Sequence, residues 1–290
     1  MDLKDIQRHI DQVMNEQNNR SISEFEGYSP FEMHHILNFT FGSNSPISLQ
    51  KLNDSDYNKI PMLYQIKYFL SLIQKAGEIK LTAKGFLPTK IVKDIYAQGY
   101  LEESLFTSGT YQLYKESDSM TVNLTRLLVE LSGLTKKRNG KLSLTKKGEK
   151  ISSNNYDLID LIFKTMTSKF NWAYYDGYGD NQIGQLGYGF SLILLHLYGG
   201  TKHQDCFYSE KYFKAFPNLL ELDSPSNYDT PEKRASDCYS LRTFDRFLDY
   251  FGLIEIETVG EKWKPDKFIT KTELFDKLIK VRPHNRVDGQ

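Results

Sequence analysis

The sequence is short of several things, and each shortage removes a class of function. Cysteine occurs twice, at Cys206 and Cys238, which is too few for a disulfide framework. The N-terminus is polar and charged and carries no secretory signal, so a cytoplasmic protein with reduced thiols is expected. The longest apolar run, around Phe190–Tyr198, is far too short to span a bilayer, and no membrane partner is expected. Net charge is missing too: 37 Lys and Arg balance 37 Asp and Glu. A zero total argues against a general polyanion binder only as an average, since charge can be segregated along a chain.

Motifs for chemistry are equally scarce. His196, His203 and Cys206 form one metal-like grouping, but no further Cys-x2-Cys or His-x3-His completes a tetrahedral set. The glycines at 177, 179, 184, 187 and 189 are not followed by Gly-Lys-Thr/Ser, so a P-loop is excluded. Asp176 and Asp180 lack the ligand spacing of a cation loop, and His34-His35 lack an oriented partner. No cofactor, no metal and no catalytic residue is therefore expected. Aromatics, by contrast, are plentiful, with 19 Tyr and 18 Phe. They supply packing area and stacking surface alike.

A short stretch recurs. Leu81-Thr-Ala-Lys-Gly85 is repeated as Leu144-Thr-Lys-Lys-Gly148, and Phe268-Ile-Thr-Lys-Thr272 is a worn third version. Each follows a helical apolar run and a glycine. Leu63, Ile66, Phe69, Leu70 and Ile73 are spaced by three and four before Gly77; Leu124, Leu127, Leu128 and Leu131 precede Gly133; Leu241, Phe244, Phe247, Leu248 and Phe251 precede Gly252. Asn139-Gly140 between 134–138 and 141–144 is a strong hairpin signal. Thr82 and Thr145 suit helix N-caps, though Pro88 allows a later start in the first case. Further helices are expected over Leu3–Glu16, from the Ser29-Pro30-Phe31-Glu32 capping box, and over Phe190–Tyr198, which is apolar nearly all round.

The order helix, Gly-Leu strand, turn, strand, Leu-Thr cap, helix resembles the second half of a winged-helix domain. The Leu-Thr-x-x-Gly pattern is similar to one in bacterial winged-helix regulators. The resemblance covers 35 to 45 residues per stretch, under half of the chain. It implies that the helix before the hairpin is a recognition helix and that the hairpin is the wing. The first stretch has only Glu78-Ile79-Lys80 before Leu81, too little for a full wing, and the third has Thr272 where the glycine would stand. Through Ser29-Pro30-Phe31-Glu32-Met33 and Leu81 to Pro88 the chain also resembles a bacterial family to which no activity attaches.

The expected fold is mainly α with small β-hairpins, an α+β chain of repeated winged-helix-like units around a helical middle. The expected segments are 1–119, 120–155, 156–237 and 238–290. The densest cationic patch is Lys136, Lys137, Arg138, Lys141, Lys146, Lys147 and Lys150, on the hairpin and the cap beyond it. Lysines there would contact phosphates, while Asn123, Thr125 and Arg126 on the preceding helix are types that read base edges. A merely solvated hairpin would carry similar residues, because turns favour Lys and Asn. The function expected is a non-enzymatic, bacterial, regulatory-type protein binding nucleic acid through the basic hairpin. Two alternatives are a scaffold for protein partners or self-association, and an enzyme centred on the Tyr- and Gly-rich stretch Tyr174–His203.

Overall fold

A computed structural model describes residues 2–107, 109, 111–222, 229–260 and 265–284. The chain divides into two compact units, one of residues 51–171 with 250–252, the other of residues 1–50, 172–249 and 253–290.

The chain opens with α1 (Leu3–Asn19), amphipathic as its spacing predicts, and α2 (Pro30–Asn38). α2 starts where its capping box says it should. Ser29 Oγ accepts from the Glu32 amide at 3.3 Å, and the Glu32 carboxylate accepts from the Ser29 amide at 2.9 Å. A short strand β1 (Ile47–Leu49) follows.

The first complete unit begins with α3 (Asp54–Tyr57) and α4 (Pro61–Ala76), whose Leu63, Ile66, Phe69, Leu70 and Ile73 are all buried. Gly77 ends α4 at φ +72°, a left-handed value that glycine adopts without strain. Then come β2 (Ile79–Lys80), α5 (Thr89–Tyr96), α6 (Ser104–Thr107) and α7 (Met120–Leu131). Next are β3 (Thr135–Arg138) and β4 (Lys141–Leu144), joined by Asn139 and Gly140 with φ of 49° and 68°. Two positive φ values are what a type I′ turn requires. The strands order as β2-β4-β3, all antiparallel, with Ile79 opposite Leu142 and Lys137 opposite the same leucine. α8 (Lys146–Ile151) and α9 (Asn155–Ser168) complete the unit.

Two expectations change here. Thr82 does not cap a helix: residues 81–88 form a turn in which the Thr82 hydroxyl accepts from the Phe86 amide at 3.0 Å, and α5 starts only after Pro88. The first two recurrent stretches therefore do not make two units. β2 is the third strand of the sheet that holds the hairpin, so the boundary expected at 119/120 falls inside one unit.

The second unit takes up the chain again with α10 (Tyr188–Tyr198), β5 (His203–Gln204), α11 (Asp205–Ala215) and α12 (Pro231–Ser240). α12 runs on into a π-helical stretch, Leu241–Leu248. β6 (Ile254–Val259), β7 (Asp266–Lys271), α13 (Glu273–Leu278) and β8 (Ile279–Val281) follow. The sheet order is β5-β7-β6, and β8 pairs antiparallel with β1.

Apart from the four-residue α6, both units share the run helix, strand, helix, helix, hairpin, Thr-capped helix, with the early strand beside the second strand of the hairpin. The junctions match in detail. Gly133 and Gly252 are both left-handed. The next residues, Leu134 and Leu253, donate to the carbonyls of Val129 and Leu248, both at 3.0 Å. The amides of Thr145 and Thr272 then return to the carbonyls of those leucines, again at 3.0 Å. Thr145 Oγ1 accepts from the Gly148 amide, and Thr272 Oγ1 from the Phe275 amide. The third cap is therefore Thr272, the residue that stands where the first two stretches have their glycine.

The same geometry explains the glycine of the second stretch. A Cβ on Gly148 would fall on the Leu134 carbonyl oxygen, so α8 sits directly on backbone. Gly148→Ala should destabilise the protein by about 1–3 kcal/mol, the ordinary cost of overpacking. Urea unfolding measures it, and an unchanged midpoint would mean that α8 does not rest on Leu134.

Candidate nucleic-acid interface

A base-reading helix must offer its polar side chains to solvent. α7 does not. Thr121, Val122, Asn123, Leu124, Thr125, Arg126, Leu128 and Val129 are all buried. Asn123 is 4% exposed and Arg126 8%. Both are taken up by one carboxylate, that of Glu116, which is itself fully buried. Glu116 accepts from Asn123 Nδ2 at 2.7 Å, from the Leu87 amide at 2.6 Å and from Arg126 Nε. Arg126 Nη1 also donates to Glu130 at 2.7 Å. Desolvation alone would lower the Arg126 pKa, but the hydrogen bonds and charges of Glu116 and then Glu130 together outweigh it and hold the guanidinium above its ordinary value. Thr125 donates to the Thr121 carbonyl and accepts from Gln65 Nε2 at 2.8 Å. Asn123, Thr125 and Arg126 are thus parts of the interior, and their assignment as base readers is corrected.

The α7 N-terminus is closed as well. Glu103 accepts from Ser119 Oγ, from the Met120 and Thr121 amides and from Thr121 Oγ1, at 2.5 to 3.2 Å. A carboxylate there satisfies the free amides and complements the helix dipole.

The cations of the hairpin are placed otherwise. Lys136, Lys137, Arg138, Lys141, Lys146, Lys147 and Lys150 are all exposed. Cross-strand partners point to the same side of a sheet, and successive residues alternate. Leu142, Ile79 and Thr135 are buried, which fixes their side as the inner one. The outer face then carries Lys136 opposite Ser143, and a row of Arg138, Lys141 and Lys80 on three adjacent strands. Lys141 pairs with Glu78. Lys80, Lys136 and Arg138 make no ion pair among the described residues. Directly opposed like charges are destabilising, so this row is held together against its own repulsion. Lys137 lies on the inner side towards the turn end of the hairpin, its ammonium over Gly85. Lys147 Nζ donates to the Ser132 carbonyl at 2.9 Å and so helps close the α7 C-terminus.

Lys80 was not among the residues singled out from sequence. Its signal was the alternation of Ile79-Lys80-Leu81, which marks a strand but not its partner. The charge of the whole unit agrees with that of its face. Residues 51–171 hold 19 Lys and Arg against 12 Asp and Glu, leaving 18 against 25 elsewhere. The other unit's hairpin carries both signs: Glu255 and Glu257 are exposed on β6, while Lys267 and Lys271 on β7 pair with Asp245 and Asp276.

The Tyr- and Gly-rich stretch is organised by three arginines. Arg242 is fully enclosed and paired with Asp176, which is equally enclosed. Its remaining donors reach the carbonyls of Asn181 at 2.8 Å, Ile183 at 3.2 Å and Gly179 at 3.0 Å. Arg246 donates to the carbonyls of Tyr174 and Tyr175 at 2.8 and 2.9 Å, and Arg234 to that of Gly177 at 3.2 Å. The cation that Asp176 holds is thus Arg242. Of Tyr174, Tyr175, Tyr178 and Tyr188, only Tyr175 is exposed. Among the described residues, no group of three or more His, Cys, Asp or Glu is placed to hold a metal ion, and no helix is long and apolar enough to cross a membrane. Asp249 is pushed up to about 6, chiefly by desolvation and then by the Asp245 carboxylate.

Residues 58–157, about a third of the chain and all within the basic unit, match the family described as the Y4jL N-terminal domain. No curated protein and no solved structure matches the chain.

If Glu116 is what keeps Asn123 and Arg126 inside, Glu116→Gln should cost about 3 kcal/mol. That is the low end for breaking a buried pair, because Glu130 still meets Arg126. Chemical denaturation measures this, and a loss within error of zero would contradict the buried network.

Proposed function

We propose that the protein binds nucleic acid through the phosphate backbone, using the outer face of the β2-β4-β3 sheet, and does so without reading sequence through α7. The observation that carries this reading is the cross-strand row of Lys80, Lys141 and Arg138, extended by Lys136 along β3. Strands lie about 4.8 Å apart, so the row places cations at close, regular intervals, as a chain of phosphates would require. The order of helices and strands in each unit, with the early strand beside the second strand of the hairpin, supports the winged-helix reading of the fold. The burial of α7 favours a role in which the wing, rather than the helix before it, makes contact. Cys206 and Cys238 are both free thiols, which favours a reducing compartment such as the cytoplasm.

The triple variant Lys80→Ala, Lys136→Ala, Arg138→Ala tests this in a salt-titrated anisotropy assay on labelled DNA. The slope of log affinity against log salt should fall by about 2 to 3 for a duplex, near one for each phosphate contact removed. An unchanged slope and affinity would remove the reading.

A second reading, self-association, has its own observation. α1 buries none of its residues, and Leu3, Ile6, Ile10 and Met14 form an exposed stripe, with Leu3 at 82%. The spacing Leu3, Ile6, Ile10, Val13 is that of a helix-pairing seam. Light scattering should give a mass above that of one chain, reduced to a single chain by Ile6→Asp with Ile10→Asp. A monomeric wild-type protein excludes it.

A further inference from the structure

The basic unit has a second exposed feature. An open cavity of about 590 Å³ is lined by Leu105, Phe106, Tyr111, Gln112, Tyr114 and Asp118. Tyr111 is 60% exposed and Tyr114 62%, and Leu105 is exposed beside them. Exposed aromatic and aliphatic groups gathered at one concavity mark an interaction site rather than leftover core.

The walls are fixed. The amides of Tyr114 and Lys115 donate to Asp118 Oδ2 at 3.1 and 3.0 Å. Thr89 Oγ1 donates to the Tyr114 carbonyl at 2.7 Å, and the Tyr114 hydroxyl to Gln112 Oε1 at 2.8 Å. Asp118 lines the cavity, and its Oδ1, 3.8 Å from Lys115 Nζ, keeps acceptor capacity beyond that pair.

Cations lead from this cavity to the hairpin. Lys93 Nζ lies 6.0 Å from the Tyr114 ring centre. Lys84 and Lys90 are exposed and make no ion pair among the described residues. Thr89 touches Tyr114, Leu87 is bonded to Glu116, and Gly85 lies under the Lys137 ammonium. The segment 84–93 is therefore a basic strip with aromatic rings at one end and the hairpin at the other.

Rings for stacking beside a line of lysines are the parts that hold a single strand, whose bases offer a free face. In a duplex those faces are already covered. We propose that this cavity stacks an unpaired nucleobase on Tyr111 and Tyr114, while the adjoining phosphates follow Lys93, Lys90 and Lys84 towards the hairpin. Asp118 Oδ1 and Gln112 are available to the base edge. The proposal rests on the backbone-binding reading above and names its substrate as single-stranded nucleic acid.

The test compares a labelled mixed-sequence single strand with the same strand annealed to its complement, by anisotropy. The wild-type protein should prefer the single strand. Tyr111→Ala with Tyr114→Ala should lower single-strand affinity about tenfold or more while leaving duplex affinity and the salt slope unchanged. Tyr111→Phe with Tyr114→Phe should restore it, because stacking needs the ring and not the hydroxyl. If the alanine pair binds as wild type while the Lys80/Lys136/Arg138 variant is weakened, the cavity assignment fails and the backbone reading stands. If the wild-type protein binds neither probe, both fall. Circular dichroism of each variant, and Tyr111→Ala alone, separate lost stacking from lost folding.

Discussion

The carboxylate of Glu116 decides what the basic unit can do. It is fully buried, and it accepts from Arg126, from Asn123 and from the amide of Leu87. Those three donors come from α7 and from the loop that follows β2, so one anion ties the helix to the loop beside the sheet. A buried charge of this kind persists only when its oxygens are hydrogen-bonded, and here both are. The consequence reaches outward. With its polar residues held inside, α7 has no face left for a groove, and the exposed chemistry of the unit shifts to the sheet and to the strip 84–93.

The likeness between the two units has the same local character. A left-handed glycine ends a helix, the next leucine turns back onto that helix, and a threonine two strands later returns to that leucine. These bonds fix where the hairpin leaves the helix and where the following helix begins. What lies beyond them is free to differ. In one unit the position three after the cap is Gly148, pressed on the Leu134 carbonyl; in the other it is Phe275, which is buried. The hairpins differ more, with unpaired lysine and arginine on one and exposed glutamates beside ion-paired lysines on the other. Junction geometry is shared and surface chemistry is not, so each hairpin has to be judged by its own charge.

The sequence made the helices and the turn legible because their causes are local. The Ser29–Glu32 capping box, the α4 stripe and Asn139-Gly140 each act within a few residues of chain, and each appears where its spacing puts it. Pairing and burial are not local. Lys80 joins the basic face only because Ile79 lies opposite Leu142, and no pattern within 79–81 names that partner. Asn123 and Arg126 looked available because polar residues on an amphipathic helix usually face water. Their partner is an acid several residues upstream, and a sequence alone does not say which acids go inside. Arg242 is the same case in the other unit, where the partner Asp176 lies 66 residues away.

Composition shows how an average conceals a device. A balanced chain has no reason to attract a polyanion, yet the described surface places three unpaired cations and one paired cation on the outer face of a small sheet. Bringing Arg138, Lys141 and Lys80 into one cross-strand row raises the free energy of the unbound protein. The acids of the unit do little to offset it, because Glu116 and Glu103 are spent on α7 and, among the described residues, Glu78 alone pairs with a cation of the face. Had neutrality been the local requirement, an acid at 80 or 143 would have met it at no cost to the inner face, since neither position packs in the core. The repulsion within the row is thus left largely uncompensated by the face itself. On the backbone-binding reading proposed above, a ligand with closely spaced negative charge would relieve that repulsion, and the salt dependence of its binding would measure how much.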